Sequence, residues 1–127
     1  MNGMHAVAVF LGGGLGSVLR FGLAQAFMNK FLWGVPLSTL LSNMLASLIV
    51  GLVWLVGFRE KNPSLYMLLA TGFCGGLSTF STFSQENVLL WARWGPGPVV
   101  LNIAFNVILC SGIVYVLTRH LVYRGFQ

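Results

Sequence analysis

Four long stretches of this chain carry no Asp, Glu, Lys or Arg: residues 1–19, 31–58, 62–85 and 94–118. Each approaches or exceeds the roughly 20 residues that cross a bilayer as a helix. Only 7% of the 127 residues are charged, against about a quarter in ordinary soluble domains. The spacing therefore predicts an all-α membrane protein, a single domain over 1–127 with transmembrane helices near 4–27, 36–58, 64–92 and 98–120. The short connections leave no segment able to build a separate soluble core.

The net charge of +5 raises nucleic acid as a partner, but that needs lysines and arginines clustered on one face. Here they are scattered. Lys30, Arg59, Lys61, Arg93, Arg119 and Arg124 fall at or near predicted helix ends, where they meet lipid headgroups. Trp33, Trp91, Trp94, Tyr66 and Tyr123 lie near the same ends and suit an aromatic belt. Arg20 alone lies inside a segment.

Ala24-Gln25-Ala26 resembles a signal-peptidase site. No basic region precedes the apolar run, however, and Arg20 interrupts it, so the first segment reads as a mature helix. Cys74 and Cys110 lack both a disulfide framework and metal-site spacing and read as small buried residues.

Within the first helix, Gly12 and Gly16 form a Gly-x-x-x-Gly pair, a small face that lets two backbones approach closely in lipid. A phosphate-binding reading of this glycine run fails, because no strand precedes it and the full motif is missing. Pro36 suits the first turn of the second helix. The segment Trp94-Gly95-Pro96-Gly97-Pro98 marks a turn before the fourth.

The third segment differs from the others. Between Thr71 and Ser84 it holds Gly72, Gly75 and Gly76, then Ser78, Thr79, Ser81, Thr82 and Ser84. Glycines and hydroxyls so close together predict a helix broken near 74–80, and in lipid the freed carbonyls must find protein, water or an ion. Such interruptions mark ion or substrate sites in transport proteins.

If four helices cross, Arg59, Lys61, Arg119 and Arg124 share one side and Lys30 and Arg93 the other. That bias is small for a positive-inside signal, and it permits insertion in both orientations. Two copies in opposite orientations would reproduce the inverted-repeat logic of larger transporters.

Enzyme chemistry finds no footing. The two carboxylates, Glu60 in a loop and Glu86 in the third segment, make no acid–base pair, and His5 and His120 sit at segment ends. What remains are neutral polar stripes: Thr39, Asn43 and Ser47 on the second helix, Asn102, Asn106 and Cys110 on the fourth. Recurrence every four residues puts each set on one face. Such stripes serve interhelical hydrogen bonding or line a polar path. Phe80 and Phe83, three residues apart, are either lipid-facing and core residues or present the positive ring edge to an anion.

The run GFCGGLSTFSTFS over residues 72–84, with Gly16-Ser17-Val18-Leu19-Arg20 before it and the Thr39 and Asn43 pair between, resembles the Fluc-type fluoride channels of bacteria, the CrcB family, over the whole chain. The resemblance implies a dual-topology antiparallel homodimer in the bacterial plasma (inner) membrane, passively releasing fluoride from the cytoplasm. It implies Phe80 and Phe83 as pore phenylalanines and Asn43 as a pore-side amide. Thr39, Ser81, Thr82 and Asn106 would join the fluoride pathway, and Arg20 would stand at an aqueous vestibule. Backbone carbonyls of Gly75 and Ser78 match positions that hold a structural sodium ion shared between subunits. Glu86 matches a family carboxylate just beyond the phenylalanines. Where the family usually has a serine on the fourth helix, this chain has Cys110, with Ser111 next to it, so either residue could line the path.

Selectivity in such a channel would come from donors and ring edges that replace the hydration of the smallest halide. Two rivals stand beside it. A small dual-topology multidrug exporter resembles proton-coupled antiporters that need a carboxylate in the first helix, which is missing here. A non-transporting membrane subunit would carry the same polar stripes.

Overall fold

The computed structural model describes residues 3–125; the side chain of Arg124, expected at the headgroups, lies outside the described residues. Helix α1 runs over Gly3–Ala26. A hairpin follows, pairing Phe31–Leu32 (β1) with Val35–Pro36 (β2) through Trp33 and Gly34. Both loop residues have positive φ, 50° and 83°, the combination that a two-residue hairpin turn demands. Pro36 precedes the second helix in extended conformation instead of occupying its first turn. Its missing N–H costs nothing there.

Helix α2 spans Leu37–Val56 and stops at Gly57, whose φ of 73° lets its N–H turn back onto the carbonyls of Val53 and Trp54. A left-handed residue at this place is how helices commonly end. A short helix α3, Phe58–Lys61, occupies the connecting loop. Asn62 then caps α4, Pro63–Tyr66, by accepting the N–H of Leu65 at 3.1 Å.

The third segment is composite. After α4 comes a wide π-helical stretch, Met67–Cys74, then α5, Gly75–Leu77. Ser78 and Thr79 are extended, with ψ of 153° and 117°, and α6 resumes over Phe80–Trp94. The expected break is therefore present, confined to two residues. Thr79 restarts the helix by accepting the N–H of Thr82 at 3.2 Å on its own hydroxyl. Helix α7 covers Pro96–Gly125, starting two residues earlier than expected because prolines are tolerated in a first turn.

Among the described residues three helices are long and apolar enough to cross a membrane: Gly3–Ala26, Leu37–Val56 and Pro96–Leu121. The third segment is apolar too, but its break divides it into shorter pieces. Helix α1 packs along the π-helical stretch and α5, and α2 along α7. The first contact is backbone on backbone. A Cβ on Gly12 would strike the carbonyl oxygen of Leu68, and one on Gly16 that of Phe73. From the opposite side, a Cβ on Gly76 would strike the carbonyl oxygen of Gly13. The small face on α1 thus meets a second one, Gly72 and Gly76, four residues apart.

The core is small: Ala46, Cys74 and Leu77, with Leu23, Ile49, Val50 and Phe73 packed against it. Many large apolar side chains point outward instead, including Phe10, Val18, Val88 and Ile108. An apolar exterior of this extent suits lipid or another membrane-embedded chain.

Candidate functional site

The break at Ser78–Thr79 organises the polar residues around it. Leaving the helix frees the N–H of Thr79, which donates to Oδ1 of Asn43 at 2.9 Å. Asn43 in turn donates from Nδ2 to Oδ1 of Asn106 at 2.9 Å. Three elements, α2, α7 and the broken segment, are thereby tied at one level.

Beside this junction lies a cavity of about 300 Å³ lined by Asn43, Ser47, Ser78, Thr79, Phe80, Phe83, Asn106, Val107 and Cys110. The rings of Phe80 and Phe83 stand 5.7 Å apart, tilted 44°. Phe80 is 80% exposed, so one wall of the cavity is open at the surface of the single chain. The lining is neutral: amides, hydroxyls, a thiol and two rings. Such groups can replace part of an anion's hydration without holding it by fixed charge.

Of the two adjacent candidates on α7, Cys110 faces this cavity, and Ser111 lies on the exposed face outside it. Ser81 is exposed, with its hydroxyl 3.2 Å from that of Thr79. The hydroxyl of Ser84 is turned back onto the carbonyl of Phe80 at 2.8 Å, which uses its proton within its own helix.

Thr82 and Thr39 belong to a second, smaller cavity of about 110 Å³, shared with Arg20, Ala24, Ser38, Ser42 and Thr79. Arg20 donates from Nε to the carbonyl of Gly76 at 3.0 Å. One bond thus serves a carbonyl next to the break and leaves the outer guanidinium nitrogens for other partners. Thr39 donates to Oε1 of Glu86 at 2.5 Å, a partnership that the sequence alone did not indicate. The other carboxyl oxygen, Oε2, is buried without a hydrogen-bond partner among the described residues. Glu86 also borders a large cavity of about 620 Å³ with Lys30 and Arg93 at its edge and Phe27, Leu89 and Leu90 on its walls.

No cluster of three or more His, Cys, Asp or Glu side chains suited to a metal occurs among the described residues. A cation here would depend on backbone oxygen. Gly75 and Ser78 are both exposed, on the surface of the broken segment. The amide that a continuous helix would send to the Gly75 carbonyl, that of Thr79, is engaged by Asn43. A Cβ on Gly75 would meet nothing within 4 Å. Carbonyl oxygens are the donor type that hard cations take, and the Gly75 carbonyl, without its helical amide, is of that type.

Asn87 and Asn102 complete the polar layer: Asn102 donates to Asn87 at 2.8 Å. Asn102 belonged to the α7 stripe recognised above. Asn87 was missed, because among Ser84, Gln85 and Glu86 nothing in the spacing sets it apart.

A family model described as "CrcB-like protein, Camphor Resistance (CrcB)" matches residues 7–118. Curated relatives include the fluoride-specific ion channel FluC of Escherichia fergusonii, 42% identical over 104 residues, or 80% of this chain and 81% of the relative. FluC proteins of Salmonella arizonae and Salmonella paratyphi B are each 41% identical over 104 residues with the same coverage. With most of its length matched in this way, the chain belongs to the CrcB family.

Proposed function

We propose that this chain forms a passive, fluoride-selective channel that releases fluoride from the cytoplasm across the bacterial inner membrane, working as a pair of copies in opposite orientations. The observation that carries the reading is the neutral cavity beside the helix break, where Asn43, Phe80 and Phe83 converge. The names of the FluC relatives supply the ion.

In this reading the broken third segment is the fourth crossing of the bilayer. Fluoride enters cells as its neutral acid and dissociates in the less acidic interior. The anion then leaves down its gradient, gathered near Arg20 and passed along the amide of Asn43, the edges of the Phe80 and Phe83 rings, and the neighbouring hydroxyl and thiol groups. A ring edge carries partial positive charge. No group on this route carries a fixed positive charge except Arg20, so the ion is attracted without being trapped.

The open face at Phe80 is where the second copy would close the path. The carbonyls of Gly75 and Ser78 would hold a sodium ion between the copies. When bound, that ion supplies positive charge which holds the two sets of carbonyl dipoles together.

Purified protein in liposomes loaded with fluoride tests the proposal with a fluoride electrode outside. Rapid efflux, indifferent to chloride and to a proton gradient, is expected. Efflux that needs a proton gradient would indicate an exporter, and no efflux an accessory subunit; either result overturns the channel.

A further inference from the structure

Four asparagines form one unbranched, directional chain. Asn102 donates to Asn87 at 2.8 Å, Asn106 donates to Asn102 at 3.0 Å, and Asn43 donates to Asn106 at 2.9 Å. At the far end the Thr79 N–H donates to Asn43 at 2.9 Å. We propose that Asn87, Asn102 and Asn106 are positioning residues that fix which way the Asn43 amide faces, so that one Asn43 N–H is always presented to the fluoride path.

The direction follows from the break. A backbone N–H can only donate, so the Thr79 amide requires the oxygen of Asn43. That choice puts the Asn43 nitrogen toward Asn106, which must answer with its own oxygen. The same logic passes to Asn102 and ends on the oxygen of Asn87. One free amide, created by the extended conformation of Ser78 and Thr79, therefore gives the chain its direction, and the asparagines beyond Asn43 hold its nitrogen in place.

The placement of the amide donors separates the roles. The Asn106 nitrogen donates toward both the backbone carbonyl and Oδ1 of Asn102, each at 3.0 Å, which turns it onto the Asn102 side. Asn102 is completely buried and meets no ion. Asn43 gives one hydrogen to Asn106 and keeps one, while lining the cavity. Asn106 lines the same cavity, but its amide nitrogen is turned onto Asn102. Low dielectric makes such chains cooperative when every member is satisfied.

The inference rests on the proposed fluoride path, and its test separates the two. Asn87, half-buried at the end of the chain, is the member to change. Asn87→Leu removes the final acceptor, and Asn87→Asp keeps it. In liposomes Asn87→Leu should lower fluoride efflux by about tenfold, the effect of one well-placed hydrogen bond, and Asn87→Asp should restore most of it. Both variants should elute alike, and Asn87→Leu should unfold at a lower temperature than Asn87→Asp because it leaves the buried Asn102 amide without its acceptor. With side-chain amides labelled with 15N, the Asn43 resonance should move in Asn87→Leu and return in Asn87→Asp, an effect that simple loss of packing would not reverse. An Asn43 resonance unmoved by Asn87→Leu overturns the inference, as does an Asp variant as impaired as the Leu variant. Should the wild type pass no fluoride, the channel reading fails, and the Asn43 resonance alone then decides whether the amide chain orients that residue.

Discussion

The hydroxyl of Thr39 on α2 donates to the carboxyl of Glu86 on α6, joining the entry of one helix to the middle of another through a group whose second oxygen has no partner. Removing this donor leaves a half-buried carboxyl with neither oxygen bonded. Leaving such a group unsatisfied costs about 1–3 kcal/mol. Thr39→Val, nearly identical in shape, should therefore lower the thermal unfolding midpoint, and Thr39→Ser should not. Equal midpoints for Val and Ser would show that the pair does not support the fold.

Gly12 and Gly14 share one run of glycines but should respond oppositely to alanine. At Gly12 the new methyl runs into the Leu68 carbonyl oxygen, which is backbone and cannot move aside; at Gly14 it meets nothing within 4 Å. Overpacking of this kind costs typically 1–3 kcal/mol. Gly12→Ala should reduce the yield of folded protein in detergent, whereas Gly14→Ala should match the wild type. Two variants of equal yield would mean that α1 and the third segment do not depend on this close approach.

The contrast between those glycines also shows what a sequence can and cannot reveal. Uncharged stretches announced the apolar helices, and Gly75, Gly76, Ser78 and Thr79 announced the break, because both are local properties of composition and spacing. The Trp33-Gly34 turn escaped notice, since a tryptophan at positive φ follows no propensity and is held by its surroundings, including Phe105 at 6.0 Å. Likewise the stripes on α2 and α7 marked Asn43, Asn102 and Asn106 as residues sharing a face. Their partners, Thr79 and Asn87, depend on how helices distant in sequence pack. Cys110 and Ser111 could not be separated until the rotation of α7 against α2 was known.

Phe80 and Phe83 test whether aromatic edges matter. Isoleucine keeps the apolar character but has no ring quadrupole, an interaction of about 0.5–1.5 kcal/mol in aromatic pairs. Phe80→Ile and Phe83→Ile should each cut fluoride efflux by tenfold or more while leaving the oligomeric state in detergent unchanged. Wild-type efflux from both variants would remove the rings from the pathway.

A Cβ at Gly75 meets nothing within 4 Å in the single chain. In the proposed pair of copies, an effect is expected where they meet. Gly75→Val should leave the helical signal in circular dichroism intact but shift the protein toward the monomer on size exclusion, by crowding the carbonyls proposed to hold sodium. Replacing sodium by a large organic cation should mimic the shift in the wild type and add nothing in the variant. A variant that stays fully paired, in sodium or without it, would argue against a cation at this position.

Cys110 and Ser111 offer the finest discrimination, because they are neighbours with different surroundings: the thiol lines the cavity with Asn43 and Phe83, and the hydroxyl lies outside it. A thiol donates weakly and a hydroxyl well. Exchanging sulfur for oxygen at 110 should therefore stabilise a passing fluoride more than the natural residue does. A gain of about 0.5–1 kcal/mol for an added hydrogen bond corresponds to a few-fold change in rate. Its sign depends on where the path is limited. If the Cys110 level is a barrier, Cys110→Ser speeds efflux; if it is already the lowest well, the deeper well slows it. The polar neighbours Asn43 and Ser47 already give this level its donors, whereas the phenylalanines beyond offer only ring edges, so the well is here and the expected result is a few-fold slower efflux with half-saturation at lower fluoride. Ser111→Ala should change neither quantity. Saturation curves measured in liposomes for the two variants decide it, and an effect at 111 with none at 110 would place the path on the other face of α7.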